Sequence, residues 1–464
     1  MEFVALGDTD AIGASCLFLQ INDTGIILDA GADPEEEGLA SVPRLDLIHN
    51  SGRFVDHAII THAHHDHIGS LPILIREFPH VTVHMTPATR QLADVVLPAS
   101  ARLQRRKLRE GSSLHQPLFS EEELEMHSYL YLTHELEDVF SLKGMKEEAL
   151  LTGQFFNAGH VLGSAGIKIV TEENGEQKTL FYTSDTNLRP QHIIPGGSYP
   201  EPPIDVLLLE TTLGADSEAE QTTRKREEER FLAGLKRILE RGGTVLIPVF
   251  ALGRAQEILA IIDRFKQKNQ IDEDIPVYTA GSMRAFADLY DKTRYSTPRL
   301  DPEFQVFGVH QKRLPRSHKA TKEALSRPSI HIMSSGMMFE RTISNRLAQQ
   351  LVEDEKNGIL LVGYAKEDSP AHLLLQAAKE GKGTEVTLDK LIGPQPINCD
   401  IERFRFSGHS HRRDLLRIVE QLKPKTILLV HGEQEARIWM ADNIKYFYPG
   451  TEIILPELGE PVIL

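Results

Sequence analysis

One short stretch limits what this chain can become: Thr61-His62-Ala63-His64-His65-Asp66-His67-Ile68-Gly69. It follows an apolar, β-rich run, Val55–Ile60, and precedes an apolar helical pattern from Gly69 to Phe78. Four candidate metal ligands, His62, His64, Asp66 and His67, therefore fall within six residues on a strand-to-helix loop. Residues two apart on extended chain point to one side, so His62 and His64 face together. Asp66 and His67 come where the chain turns into the helix and can face a second ion. Mixed imidazole and carboxylate donors suit zinc, with manganese the weaker rival. The bland alternative is a histidine-rich surface loop, but an Ala/His/Gly loop at this spacing serves no packing purpose.

Three further residues could complete a two-ion site. His160, in Ala158-Gly159-His160-Val161-Leu162-Gly163-Ser164-Ala165, sits in a small-residue loop with room for an ion. Asp185, in Tyr182-Thr183-Ser184-Asp185-Thr186, comes just past a strand, and a carboxylate there can bridge two cations. His431, in Leu428-Leu429-Val430-His431-Gly432-Glu433, ends an apolar strand. A lone histidine in such a place is ordinarily structural. Each of these residues, however, ends a strand, as active-site residues of layered α/β folds do.

The surrounding pattern has three parts. Up to residue 211 the chain carries short strand-like runs at Cys16–Ile21, Gly25–Asp29, Val55–Thr61, Val81–His84, Leu180–Ser184 and Val206–Glu210, each bounded by Gly, Asn, Asp or Pro. Helices are expected over 86–110, with a basic far end, and over 120–135, where a Ser cap precedes an acidic first turn. Over 212–389 continuous apolar strands at Thr244–Phe250, Val277–Thr279, Ile330–Ser334 and Ile359–Gly363 each lead into a helix. That alternation implies a parallel sheet buried on both faces. Over 390–464 short strands and one helix return, with Phe406 ending an apolar strand and a helix starting near Arg412.

Composition narrows the class. No apolar run approaches the roughly 18 residues needed to cross a membrane, and the N-terminus reads as a strand and a turn rather than a signal peptide. Two cysteines, Cys16 and Cys399, are too few for a disulfide framework, so a reducing, cytoplasmic setting is expected. The formal net charge of −16 argues against a broad nonspecific grip on nucleic acid but leaves room for local basic patches. Candidates are Arg102, Arg105, Arg106, Lys107 and Arg109; Lys312, Arg313, Arg316 and Lys319; and Arg403, Arg405, Arg412 and Arg413. Most such runs are simply solvated faces.

H-x-H-x-D-H, A-G-H-x-L-G-S-A and the Asp after a strand resemble the motifs of the metallo-β-lactamase superfamily. Gly253-Arg254-Ala255-Gln256-Glu257, Ser334-Ser335-Gly336-Met337, Ser407-Gly408-His409 and Val430-His431-Gly432-Glu433 resemble its β-CASP nucleases, which include ribonuclease J-like enzymes and the endonuclease of pre-mRNA 3′-end processing. The resemblance runs through nearly the whole chain in the right order. It implies an α/β fold: an αββα sandwich, residues 1–211 plus 390–464, with a parallel β/α (β-CASP) domain inserted at 212–389. It implies two Zn²⁺ ions, with Mn²⁺ a possible substitute. His62, His64 and His160 would hold one ion and Asp66, His67 and His431 the other, with Asp185 between them and Asp29 orienting the histidines from behind. The pair would activate water and neutralise phosphoryl oxygens, so Asp66 belongs with the catalytic residues. The leaving oxygen still needs a proton, for which His409 is the candidate acid, held protonated by Glu210. Backbone N–H groups of Ser335 and Gly336 could meet a substrate phosphate.

The expected activity is hydrolysis of RNA, endo- or 5′-exo-nucleolytic or both. In this family a His at the position of His431 marks RNA-acting members, so single-stranded RNA is favoured over DNA. A homodimer or a protein partner could add specificity. Two features depart from the family. His411 stands where an Asp usually follows the acid by two residues, so His411 could itself take over as the acid. After Gly363-Tyr364 the usual Gln/Gly-rich stretch is replaced by Ala365-Lys366-Glu367-Asp368. Rival readings are a small-molecule metallohydrolase, such as a lactonase or thioesterase, which the first 210 residues alone would allow, and a non-catalytic scaffold subunit. The inserted domain argues against the former and the complete ligand set against the latter.

Overall fold

The computed structural model describes residues 1–7, 13–145, 151–173, 176–363 and 365–464; part of the N-terminal stretch expected to hold a turn, and Tyr364, lie outside them. The chain divides into two units. The first is assembled from Met1–Pro190, Ile194–Glu220 and His409–Leu464, the second from Gln191–Ile193 and Gln221–Gly408.

The first unit contains two seven-stranded sheets. One runs, edge to edge, Pro461–Ile463, Glu2–Ala5, Leu17–Ile21, Thr24–Leu28, His57–Ile59, Thr82–Met85, Tyr131–Thr133. The other runs Glu452–Ile454, Thr426–Val430, Val206–Glu210, Glu176–Tyr182, Ala165–Glu173, Leu151–Asn157, Val139–Ser141. Strand alternation decides what each side chain meets. Ile26 and Leu28 join Leu180, Tyr182, Leu208 and Leu428 in a core between the sheets. Ile27 points the other way, into a cluster with Leu74 of helix Leu71–Glu77 and Leu97 of helix Pro87–Arg109. Leu207, Leu209 and Leu429 meet Leu415, Ile418, Met440 and Ile444 of helices Arg412–Leu422 and Gln434–Phe447. Each such residue, fully buried, contributes about 1.5–3 kcal/mol. The layers are helix, sheet, sheet, helix, the expected αββα sandwich.

The second unit holds a six-stranded sheet in the order Lys312–Arg313, Val277–Thr279, Ser329–Met333, Thr244–Pro248, Gly358–Leu361, Asp400–Arg403, with every pairing parallel. Leu246, Ile359 and Leu361 are wholly or almost wholly buried, as strands covered on both faces require.

Three expectations are corrected. The second unit runs to Gly408 rather than 389, because Asp400–Arg403 pairs with Gly358–Leu361 as its sixth strand. The helix expected over 120–135 covers only Glu121–His127; Tyr131–Thr133 is a strand beside Thr82–Met85, so sheet pairing outweighed local helical propensity. Phe406 does not end a strand: pairing stops at Arg403, and Phe404 and Phe406 both pack on the Phe231 ring.

Candidate metal centre

Parallel pairing gathers the candidate site residues of the first unit. Leu28 pairs with Ile59, so Asp29 and Thr61 follow neighbouring strand ends. Tyr182 pairs with Leu208 and Glu210 with Val430, so Asp185, Glu210 and His431 lie at the carboxyl ends of three consecutive strands of the other sheet. Asp29, Ser184 and His431 have left-handed backbones with φ of 62°, 53° and 48°. Such conformations cost on the order of 1–3 kcal/mol each and cluster at functional sites. Gly31 permits the close approach of the histidine loop, since a Cβ there would lie 1.8 Å from the Asp66 carbonyl oxygen.

Two donor groups converge. In one, His64 Nδ1 lies 3.2 Å from His62 Nε2 and 3.1 Å from His160 Nε2, and both Nε2 atoms lie 3.6 Å from Asp185 Oδ2. In the other, the opposite oxygen, Asp185 Oδ1, lies 3.4 Å from His67 Nε2 and 3.2 Å from His431 Nε2, with Asp66 Oδ2 4.0 Å from His67 Nε2. The donor atoms of His62, His64, His160 and Asp185, and those of Asp66, His67 and His431, lie within 4.8 Å of one another in their groups. His67 Nε2, Asp185 Oδ1 and His431 Nε2 are buried without a hydrogen-bond partner. Leaving buried polar atoms unsatisfied costs about 1–3 kcal/mol each. A divalent cation bound by imidazole and carboxylate removes that cost, so the residues present fit a metal pair.

A hydrogen-bond network behind the donors fixes their orientation. Asp29, fully buried, accepts from Thr61 N at 2.8 Å, Thr61 Oγ1 at 2.9 Å and the Tyr182 hydroxyl at 3.1 Å. It also lies 2.8 Å from His67 Nδ1. With Nδ1–H donating to this carboxylate, His67 Nε2 is left as the donor atom. Ser184 Oγ donates to Thr61 Oγ1 at 2.7 Å, and Thr61 Oγ1 lies 3.2 Å from His62 Nδ1, which likewise turns His62 Nε2 inward. Burial, then the nearby His67, holds the pKa of His62 well below the usual histidine value. Burial opposes charge on His67 too, but Asp185 and Asp29 outweigh it and raise that pKa. Burial disfavours the Asp185 carboxylate, yet His431, His67 and His409 keep its pKa well below the ordinary range.

His409 stands beside these groups. Its Nδ1 lies 3.1 Å from Glu210 Oε1, its Nε2 is 4.0 Å from Asp185 Oδ2, and its side chain is 20% exposed. Glu210 is fully buried and also accepts from Thr186 N at 3.0 Å and Thr212 N at 2.9 Å. Burial lowers the His409 pKa, but Glu210, then Asp185, more than reverse this, so it is raised. His411 is engaged elsewhere: its Nε2 lies 3.0 Å from Asp414 Oδ2, and that carboxylate is also held by Arg189 and Arg417. Ser335 and Gly336 lie in the second unit, past strand Ser329–Met333. The sequence reading missed the roles of Thr61, Tyr182 and Ser184, although Thr61 and Ser184 adjoin ligand candidates. It also missed the Arg189–Asp414 pair.

Residues 9–176 match the metallo-β-lactamase superfamily, residues 255–374 the β-CASP domain, and residues 394–456 the Zn-dependent metallo-hydrolase RNA specificity domain. The chain belongs to the metallo-β-lactamase superfamily. Within it, the chain falls in the β-CASP nuclease branch. An RNase J-like protein of Methanocaldococcus jannaschii is 28% identical over 97% of this chain and 98% of its own. Cleavage and polyadenylation specificity factor 73 of Drosophila melanogaster is 29% identical over 94% of this chain and 60% of its own length. A solved protein of unknown function from Enterococcus faecalis V583 shares the fold, with a TM-score of 0.56 at 15% identity, over 100% of this chain and 99% of that one.

Proposed function

We propose that this chain is a zinc-dependent ribonuclease that hydrolyses phosphodiester bonds in single-stranded RNA. The observation that carries the reading is Asp185, whose two oxygens serve two separate histidine groups, Oδ2 toward His62 and His160 and Oδ1 toward His67 and His431. Two ions held there, when bound, would supply an activated water and neutralise the charge on the phosphoryl oxygens. His62, His64 and His160 would hold one and Asp66, His67 and His431 the other, with Asp185 shared. Asp29 keeps the ring of His67 in the tautomer that presents Nε2. His409 delivers the proton to the departing oxygen from Nε2, while Glu210 holds its Nδ1–H. Ser335 and Gly336 offer backbone N–H groups to a substrate phosphate. RNA as substrate is supported by the RNA specificity domain match, by the name of the RNase J-like relative and by His431.

The test is metal content. The purified protein should carry about two transition-metal ions per chain, and Asp185→Asn should lose affinity for both together. A variant retaining both ions and full activity would remove Asp185 from the role of bridge.

A further inference from the structure

The chain carries far more acid than base, with 67 Asp and Glu against 51 Lys and Arg. Its basic runs differ in what they touch. At the end of helix Pro87–Arg109, Arg102 and Arg105 pair with Glu121, and Lys107 pairs with Glu37. Arg412 and Arg413 pair with Glu220. The run from His310 to Lys322 contains Lys312, Arg313, Arg316, Lys319 and Lys322 and no acidic residue. All five cations are exposed, and none lies within ion-pair distance of a carboxylate among the described residues.

Lys312 and Arg313 form the outermost strand of the six-stranded sheet, and helix His318–Leu325 carries Lys319 and Lys322. Lysine on an edge strand guards against unwanted strand addition. That accounts for the strand's two cations but not for the three beyond it. Just before the strand, Phe307 is 39% exposed and the Arg284 guanidinium lies 5.1 Å from its ring centroid. Asp291 accepts from the backbone N–H groups of Val306 and Phe307, Asp288 pairs with Lys292, and Glu323 pairs with Arg327. Exposed cations without carboxylate partners, close in sequence to an exposed aromatic ring with a guanidinium over it, are groups that single-stranded nucleic acid binds, phosphates on the cations and a base on the ring.

We infer that Lys312, Arg313, Arg316 and Lys319, with Phe307 and Arg284, form an accessory docking strip for single-stranded RNA on the second unit. The inference rests on the ribonuclease reading for the identity of the polyanion. It is tested with the full chain and a fluorescent single-stranded RNA, by anisotropy over a salt series. Each phosphate contact contributes about 0.7 to the slope of log K against log salt. The quadruple variant Lys312→Gln, Arg313→Gln, Arg316→Gln, Lys319→Gln should bind roughly 10- to 100-fold more weakly near physiological salt, with a slope shallower by about 2–3. Phe307→Ala should weaken binding about fivefold or more without changing the slope. Hydrolysis of bis(4-nitrophenyl) phosphate should be unchanged in both variants, since none of these residues belongs to the two donor groups. Wild-type affinity and slope in the quadruple variant would overturn the inference and leave the strip to an acidic protein partner. Wild-type protein that binds RNA through the strip but does not cleave it would instead overturn the ribonuclease reading alone.

Discussion

Replacing His409 by Ala removes an imidazole that neither donor group requires. Its Nε2 is 4.0 Å from Asp185 Oδ2, while His62, His64 and His160 on one side and Asp66, His67 and His431 on the other remain in place. Metal content and thermal stability should therefore stay near wild type, while turnover on RNA falls by about 10²–10⁴, the usual contribution of a positioned acid. The loss should shrink to a few-fold, roughly, on bis(4-nitrophenyl) phosphate, whose leaving group departs without a proton. Glu210→Gln should act through the same proton. Glu210 accepts from His409, Thr186 N and Thr212 N, so the amide must place its NH₂ against a donor whichever way it turns. We expect a smaller loss, of about 10- to 100-fold, and a double variant close to His409→Ala alone, because the two residues work as one unit. The sign of the pH effect follows from the raised His409 pKa. An acid works while protonated, so activity falls as pH rises through its pKa, and losing the Glu210 charge moves that alkaline limb to lower pH. Single-turnover cleavage of 5′-labelled RNA, run beside the nitrophenyl diester, measures all of this. Equal losses on both substrates, or a normal rate in His409→Ala with the loss appearing in His411→Ala, would refute the assignment.

Three further outcomes are expected. Asp29→Asn should weaken metal affinity roughly 10- to 100-fold, as loss of such an orienting carboxylate does; chelator competition measures it, and unchanged affinity would mean the network behind His67 is only structural. Asp414→Asn should flatten the acid limb of stability. Burial opposes the Asp414 charge, but His411 and Arg189 hold its pKa well below the usual range, so its stabilisation is full above about pH 4 and is lost as pH falls. Urea midpoints at pH 7 and pH 3 should differ less in the variant than in wild type. Finally, His57, His84 and His134 form a chain, Nδ1 to Nε2 at 3.0 Å and 2.9 Å, closed by the Lys143 carbonyl 2.9 Å from His57 Nε2. Burial, then His57 and His134, push the His84 pKa down to about 3, so His84 stabilises the fold above about pH 6.5 and progressively less towards pH 3. His84→Leu should lower stability at pH 7 yet lose less, by on the order of a few kcal/mol, between pH 7 and pH 4; an unchanged pH slope would show that the fold does not hold His84 neutral.

The candidate donors His62, His64, Asp66 and His67 were legible because imidazole and carboxylate side chains at short sequence spacing come there as one motif. The strand at Val206–Glu210 was legible to the residue, its apolar run being bounded on both sides. What the sequence concealed depends on long-range pairing. Tyr182 reaches Asp29 across 153 residues, and Arg189 reaches Asp414 across 225, with no local pattern to announce either contact. The boundary at Gly408 was hidden for the same reason, since Asp400–Arg403 is a short, polar strand whose place is set by its partner Gly358–Leu361. Left-handed backbones at Asp29, Ser184 and His431 could not be read from residues that are not glycine.

The most direct test of metal-dependent RNA hydrolysis is to strip the purified full chain with a chelator and assay it on 5′-labelled single-stranded RNA and on DNA of the same sequence, before and after adding Zn²⁺ or Mn²⁺. The account predicts no cleavage of either when stripped, and restored cleavage of RNA in preference to DNA when metal returns. Cleavage of RNA that survives complete removal of metal, or none in the reconstituted protein, would contradict it.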